Sequence, residues 1–263
     1  MTKRPIFIDI SMPISAEIIT DPPPLQPRIS YVGHKEGAGH MLPFFPGLAV
    51  EDLPDGEGWA VEDISLTTHS GSHMDAPWHY HSTTDNGARR APTIDEAPLD
   101  LFWRPGVKLD FRHFPDGYVA TAADVEAELA RIGHDLQPYD IVLVNTSAAA
   151  AYGGPDYVAS GCGLGREATL YLTERGVQVV GTDAWSWDAP FIYTARRYAE
   201  TGDPAIIWEG HKAGREQPYY QMEKLHNLES LPPHGFTVSC FPVKIAGAGA
   251  GWIRAVAMLE QEA

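Results

Sequence analysis

The apolar run Ile141-Val-Leu-Val144, set between Asp140 and Asn145, constrains the fold of this chain more than any other stretch. Four successive apolar residues bounded by polar ones describe a strand buried on both faces, as in the middle of an α/β sheet. Residues 165–175 read as a helix that stops at Gly176, and 177–181 as the next strand. Strand, helix and strand in that order imply a crossover and parallel pairing, so the expected fold class is α/β with a parallel unit at its centre. Residues 121–133 form the clearest helix: Thr121 caps it, acidic residues come early, Arg131 comes late and Gly133 stops it. Residues 6–10, 106–111, 236–245 and 253–259 read as further strands, and Pro190 opens another helix. No repeat, low-complexity linker or composition break divides the sequence, so residues 1–263 are expected to form a single domain. Within it, residues 1–54 are expected to be an extended N-terminal arm or loop region, proline-rich at Pro22, Pro23, Pro24 and Pro27. So long an irregular stretch suits either a cavity cover or a dimer clasp.

The formal charge of −16 repels nucleic acid and anionic membrane surfaces at long range, so neither is an expected partner. Cys162 and Cys240 are too far apart in sequence and too few for a disulfide framework or a thiolate zinc site. Asp9 interrupts the N-terminal apolar run after three positions, and no stretch approaches the roughly 18 apolar residues of a membrane helix. A cytoplasmic protein is the expectation.

His69-Ser-Gly-Ser-His73-Met-Asp75-Ala-Pro-Trp-His79-Tyr-His81 gathers four histidines and one carboxylate into thirteen residues. Neutral imidazole and carboxylate are the usual ligands of a divalent transition metal acting as a Lewis acid. The spacing of His69 and His73 matches a helical zinc motif, but Gly71 and Pro77 oppose a helix, and no glutamate follows His69 to act as its base. The alternating run 61–68 leads directly into His69, which sets the metal stretch at a strand end turning into a loop. His211, Gln221 and Glu223 are available to complete a site from a distance. Asp183-Ala-Trp185-Ser-Trp187-Asp188 follows a parallel strand, where open α/β sheets carry ligand-binding residues. Its acids and indoles, with Trp78 and Phe44, are candidates for an aromatic-walled pocket. The glycines at 161, 163 and 165 and at 247, 249 and 251 do not match phosphate-cradling or dinucleotide spacings, so a helix start and tight turns explain them.

The stretch His69-Ser-Gly71-Ser72-His73-Met-Asp75-Ala-Pro77-Trp-His79 resembles the His-x-Gly-Thr-His-x-Asp-x-Pro-x-His signature of the metal-dependent cyclase/hydrolase superfamily. That superfamily includes bacterial kynurenine formamidase and isatin hydrolase; here Ser72 keeps the hydroxyl of the usual threonine. Matches through Gly163-Leu164, Glu167-Ala168, Leu172, Gly176-Val177, Gly181-Thr-Asp183, the separation of His211 from Glu223, and Cys240-Phe-Pro242-Val-Lys244 extend the resemblance over nearly the whole chain. It implies a swivelling β/β/α single domain that forms a homodimer or higher homo-oligomer. It also implies one or two ions per chain, Mn2+ or alternatively Zn2+. In the formamidase pattern His69, His73 and Asp75 take the first metal, and Asp75, His211 and Glu223 the second. Gln221 is a further candidate ligand, and His79 is the acid/base. The chain length and the Trp185-Ser-Trp187 segment resemble isatin hydrolase within the superfamily. The implied activity is metal-dependent opening of the cyclic amide of isatin to isatinate, with Trp78, Phe44, Trp185, Trp187 and Asp183 binding substrate. An N-formylkynurenine-type arylformamidase, or a biosynthetic cyclase or dehydratase, is the alternative.

Overall fold

Side chains along Ile141–Asn145 point alternately to opposite faces, and that alternation divides the interior in two. Val142 and Val144 pack with Val107, Leu109 and Val180, whereas Ile141 and Leu143 pack with Val179 and Met222. The computed structural model describes residues 4–260; residues 1–3 and 261–263 of the expected domain lie outside it. Among the described residues, nine strands form the main sheet. They are β1 (Ile6–Asp9), β2 (His73–Asp75), β3 (Trp103–Asp110), β4 (Ile141–Asn145), β5 (Val179–Thr182), β6 (Tyr220–Glu223), β7 (Phe236–Ser239), β8 (Ala250–Trp252) and β9 (Val256–Leu259). Their spatial order is β1-β9-β7-β3-β4-β5-β6-β2-β8. The central β3, β4, β5 and β6 run parallel, and antiparallel pairs flank them on both sides. The fold is thus mixed α/β, with the expected parallel unit at its centre.

The helices are α1 (His34–Met41), α2 (Pro77–Tyr80), α3 (Ala122–Ile132), α4 (Arg166–Thr173), α5 (Phe191–Thr201) and α6 (Glu209–Ala213). Helix α3 starts and stops where its sequence directs: Thr121 Oγ1 accepts from the Asp124 N–H at 3.3 Å, and Gly133 closes it in the left-handed conformation at φ 67°. Val125 and Leu129 of α3, with Ala168 and Leu172 of α4, cover the sheet face that carries Val142 and Val144. Each such valine or leucine contributes roughly 1.5–3 kcal/mol relative to exposure. Loops bearing Ile94, Leu101, Leu225, Leu228 and Leu231 cover the opposite face.

Several local expectations differ from the structure: the strand expected over 236–245 stops at Ser239, and in place of one strand over 253–259 the chain forms β8 and β9, which lie on opposite sides of the sheet. The strand expected to run into His69 ends at Ser65 and pairs with Arg28–Val32 as an exposed ribbon outside the main sheet. Its Val61 and Ile64 find no core to bury against, so the chain breaks off and enters the main sheet only at β2. The arm or loop region expected over residues 1–54 also contains α1, which Gly37 and Gly39 disguise because glycine is a poor helix former. Gly37 is needed there, since a Cβ would lie 1.8 Å from the Trp59 carbonyl oxygen.

Candidate metal centre

Strand alternation builds the site. In β2, His73 and Asp75 share one face while Met74 points to the other. Antiparallel β6 sets Gln221 opposite Asp75, Met222 opposite Met74, and Glu223 opposite His73. Met74 and Met222 are both fully buried in the core on the far face. A register slip of one residue would turn the polar side chains into that core, so the two methionines fix where His73, Asp75, Gln221 and Glu223 point.

The turn before β2 brings His69 Nδ1 to 2.9 Å from Asp75 Oδ1, and His73 Nε2 lies 3.3 Å from the same oxygen. Helix α6 supplies His211, whose Nε2 stands 3.8 Å from Asp75 Oδ2 and 3.4 Å from Glu223 Oε1. Helix α2 supplies His79, with Nε2 4.0 Å from Asp75 Oδ2. Two potential ligand groups result, His69–His73–Asp75 and Asp75–His79–His211, and Asp75 belongs to both. The second differs from the expected Asp75–His211–Glu223 set: His79 is drawn in, while Glu223 bridges, its other oxygen 3.5 Å from His73 Nε2.

His73 Nε2 and both Asp75 oxygens are buried without a well-aligned hydrogen bond, the 2.9 Å approach of His69 to Asp75 included. Leaving such groups unsatisfied costs about 1–3 kcal/mol each, and more for a charge, so a divalent cation is the group they fit. The tautomers agree. His73 donates Nδ1–H to the Gly71 carbonyl oxygen at 2.9 Å, which leaves its Nε2 lone pair facing the site, and His211 donates Nδ1–H to Asp188 Oδ2 at 2.5 Å, which turns its Nε2 toward Asp75 and Glu223. Burial opposes charge on Asp75, but the surrounding imidazoles hold its carboxyl well below its ordinary value. Burial likewise opposes charge on His69 and His211, yet Asp75 raises His69, while Asp188, Asp75 and Glu223 raise His211 well above the ordinary value. For His79 burial wins and lowers the imidazole to about 4.

Gln221 stands behind these groups. Its Nε2 donates to His211 Nε2 at 2.9 Å and to Glu223 Oε1 at 2.7 Å, while its Oε1 accepts from the Tyr219 hydroxyl at 3.0 Å. Its amide is therefore engaged with the His211 and Glu223 side chains. Asp188 was not anticipated in this role, because nothing in its sequence context separates it from Asp183. It also accepts the Gly210 N–H at 2.8 Å, anchoring the start of α6.

A cavity of about 290 Å3 opens over the cluster, walled by His69, His79, His211, Trp185, Trp208 and Phe191. Trp208 was not anticipated either. Its backbone is left-handed at φ 59°, and its indole stacks on His211 at 4.4 Å and meets His79 edge-on at 5.1 Å. The three-residue spacing from His211 was the one available signal. A larger hollow of about 630 Å3, lined by Glu126, His134, Tyr171 and Arg175, lies elsewhere and contains neither ligand group.

Of the residues expected to bind substrate, Trp185 lines the cavity and four do not. Trp187 is sealed in the core with Nε1 donating to Thr169 Oγ1 at 2.9 Å, since its large apolar ring finds a complete pocket beneath α4. Asp183 is buried below the site and accepts from Asn145 Nδ2 at 2.6 Å and from the Thr146 backbone and hydroxyl, tying β4 to β5. Trp78 sits on α2 beside His79 but turns outward under Arg90, and Phe44 is exposed against Trp59. The glycine segment before α4 leads to an ordinary helix start, for the Arg166 N–H is already taken by Glu209 Oε2 at 3.0 Å.

The Cyclase family model matches residues 8–189. Kynurenine formamidase of Salinibacter ruber is 30% identical over 196 residues, covering 73% of this chain and 77% of that protein. Among solved structures, an isatin hydrolase bound to the product analogue thioisatinate superposes with a TM-score of 0.74 at 19% identity, covering 98% of this chain and 93% of the other. A potential metal-dependent hydrolase with cyclase activity superposes with a TM-score of 0.65 at 21% identity, covering 99% and 100%. With most of its length matched by the family model and by a relative, this chain belongs to the Cyclase family.

Proposed function

We propose that this protein is a metal-dependent amidohydrolase that opens the cyclic amide of isatin to isatinate. One observation carries the reading: two histidine–carboxylate groups with unsatisfied buried atoms share Asp75 directly beneath a small aromatic cavity. In this reading His69, His73 and Asp75 hold one ion, Asp75, His211 and Glu223 hold a second where two bind, and Gln221 orients the second set. The ion is Mn2+ or alternatively Zn2+. A divalent ion bound there supplies Lewis acidity, polarising an amide carbonyl and making water acidic near neutral pH. His79 borders the cavity and is partly exposed, unlike sealed His73 and His211, so we assign it to proton transfer rather than to metal. Burial keeps the ring neutral at pH 7, which leaves Nε2 free to take a proton from the attacking water and return one to the leaving amide nitrogen. Trp185, Trp208 and Phe191 offer flat walls to a bicyclic aromatic ring. At about 290 Å3 the cavity lies at the lower end of the range for ligand sites, as a small substrate requires.

The 30% identity to a kynurenine formamidase favours a second reading, an arylformamidase that uses the same residues. Purified, metal-loaded protein should turn over isatin faster than an N-formyl arylamine; the reverse order replaces the first reading with the second. Elemental analysis of the purified protein identifies the ion and its number. We further propose a homodimer or higher homo-oligomer, supported by exposed Tyr31, Phe44, Phe45 and Ile64 on the N-terminal ribbon and the segment it brackets. Light scattering on the eluting protein would reject this if the mass were that of a single chain. The working location is the cytoplasm; among the described residues no helix is long and apolar enough to cross a membrane.

A further inference from the structure

Lys224 follows Glu223 and carries the chain through a left-handed backbone conformation at φ 57°, which lysine adopts less readily than glycine or asparagine. Its ammonium is buried at the cavity wall. Nζ donates to the His69 carbonyl oxygen at 2.8 Å and to Asp21 Oδ1, and Lys224 and Asp21 are only 2% and 4% exposed. Asp21 Oδ1 also accepts from Trp185 Nε1 at 3.1 Å. Lys224, Asp21, His69 and Trp185 all line the cavity. One amine therefore joins three segments that are distant in sequence: the N-terminal segment, the turn bearing His69, and the chain just after Glu223.

A sealed ion pair is a weak source of stability, because desolvation opposes the Coulombic gain. A strained backbone carrying a buried charge beside a site points instead to placement of the groups around it. We infer that Lys224 is a positioning residue: it fixes the His69 turn through the His69 carbonyl and, through Asp21, latches the N-terminal segment as a wall of the cavity. The inference rests on the metal reading of the site and is independent of which amide is the substrate. The backbone of Lys224 is held separately, its N–H by the Ala184 carbonyl at 3.0 Å and its own carbonyl by the Ser72 hydroxyl at 2.6 Å. Removing the ammonium therefore leaves the Glu223–Leu225 path anchored.

Lys224→Met keeps the stem and removes the donor; Asp21→Asn keeps the shape and removes the charge. Metal-stripped wild type and variants are titrated calorimetrically with MnCl2 and with ZnCl2, and Trp185 emission, taken as the difference between each protein and its Trp185→Phe counterpart because the chain has seven tryptophans, is followed with no metal present. Both variants should bind metal about 10–100-fold more weakly, the scale of losing a ligand-orienting group, and Lys224→Met should alter the Trp185 emission. With an active substrate in hand, KM should rise more than kcat falls in metal-saturated variants. A folded Lys224→Met with unchanged affinity and emission overturns the inference. If Lys224→Met does not fold, Asp21→Asn decides alone: weakened metal binding supports the inference and wild-type affinity overturns it. Wild type that binds neither metal overturns the metal reading and the inference with it, whereas wild-type binding with unaltered variants overturns the inference only.

Discussion

Asp188 does for His211 what the Gly71 carbonyl does for His73: each takes the Nδ1 proton and turns Nε2 toward the same carboxylates. Removing an orienting partner of this kind typically lowers metal affinity about 10–100-fold, and Asp188→Ala should do so in equilibrium dialysis with the fold intact. His79→Ala tests a different role. It should lower kcat by about 100- to 10,000-fold while elemental analysis finds the wild-type metal content; loss of the metal would recast His79 as a ligand. Asp183 supplies a pH prediction. Burial pushes its carboxyl up to about 7, against the lowering pull of the Thr146 and Asn145 donors. The native state therefore holds a proton that the unfolded chain, near 3.8, has released. Stability from this group is present at low pH and is lost as pH rises from about 4 to about 7. Asp183→Asn removes the titration, so its urea midpoint should fall less than that of wild type across that window. Parallel pH profiles would rule this out.

At the scale of elements, the site depends on register. Met74 and Met222 meet on the core face, and their burial obliges His73, Asp75, Gln221 and Glu223 to share the other. Met74→Ala should cost about 2–5 kcal/mol in chemical denaturation, and metal affinity should fall with it as β2 loosens. Thr121→Ala is the contrast: it should cost about 1 kcal/mol through the lost cap of α3 and leave metal binding untouched. Equal loss of metal binding in both would mean that general stability, not strand register, governs the site. Helix α2 depends on its neighbour in a similar way, for a Cβ at Gly249 would come within 3.3 Å of His79 Cβ. A glycine read only as a turn former is also what gives His79 its room.

Over the whole molecule, periodicity made the buried strand, the crossover helix and the parallel unit legible, because they follow from local alternation and caps. The metal stretch was legible for a related reason: His69, His73, Asp75 and His79 lie close in sequence and are of ligand type. Their partners were harder to read. Choosing Trp185 over Trp187 as a wall, or Asp188 over Asp183 as the partner of His211, required knowing which side of a loop faces the sheet. Trp208 reaches His211 and His79 through a left-handed turn that no propensity favours. Lys224 was silent in sequence because its meaning is a contact with Asp21, two hundred residues away. The sequence by itself determined the α/β class, the motif and the types of residue gathered in it, since these depend on residue type and short spacing. Only the tertiary structure decided which side chains converge, because strand register and loop packing are settled by the burial of distant apolar partners.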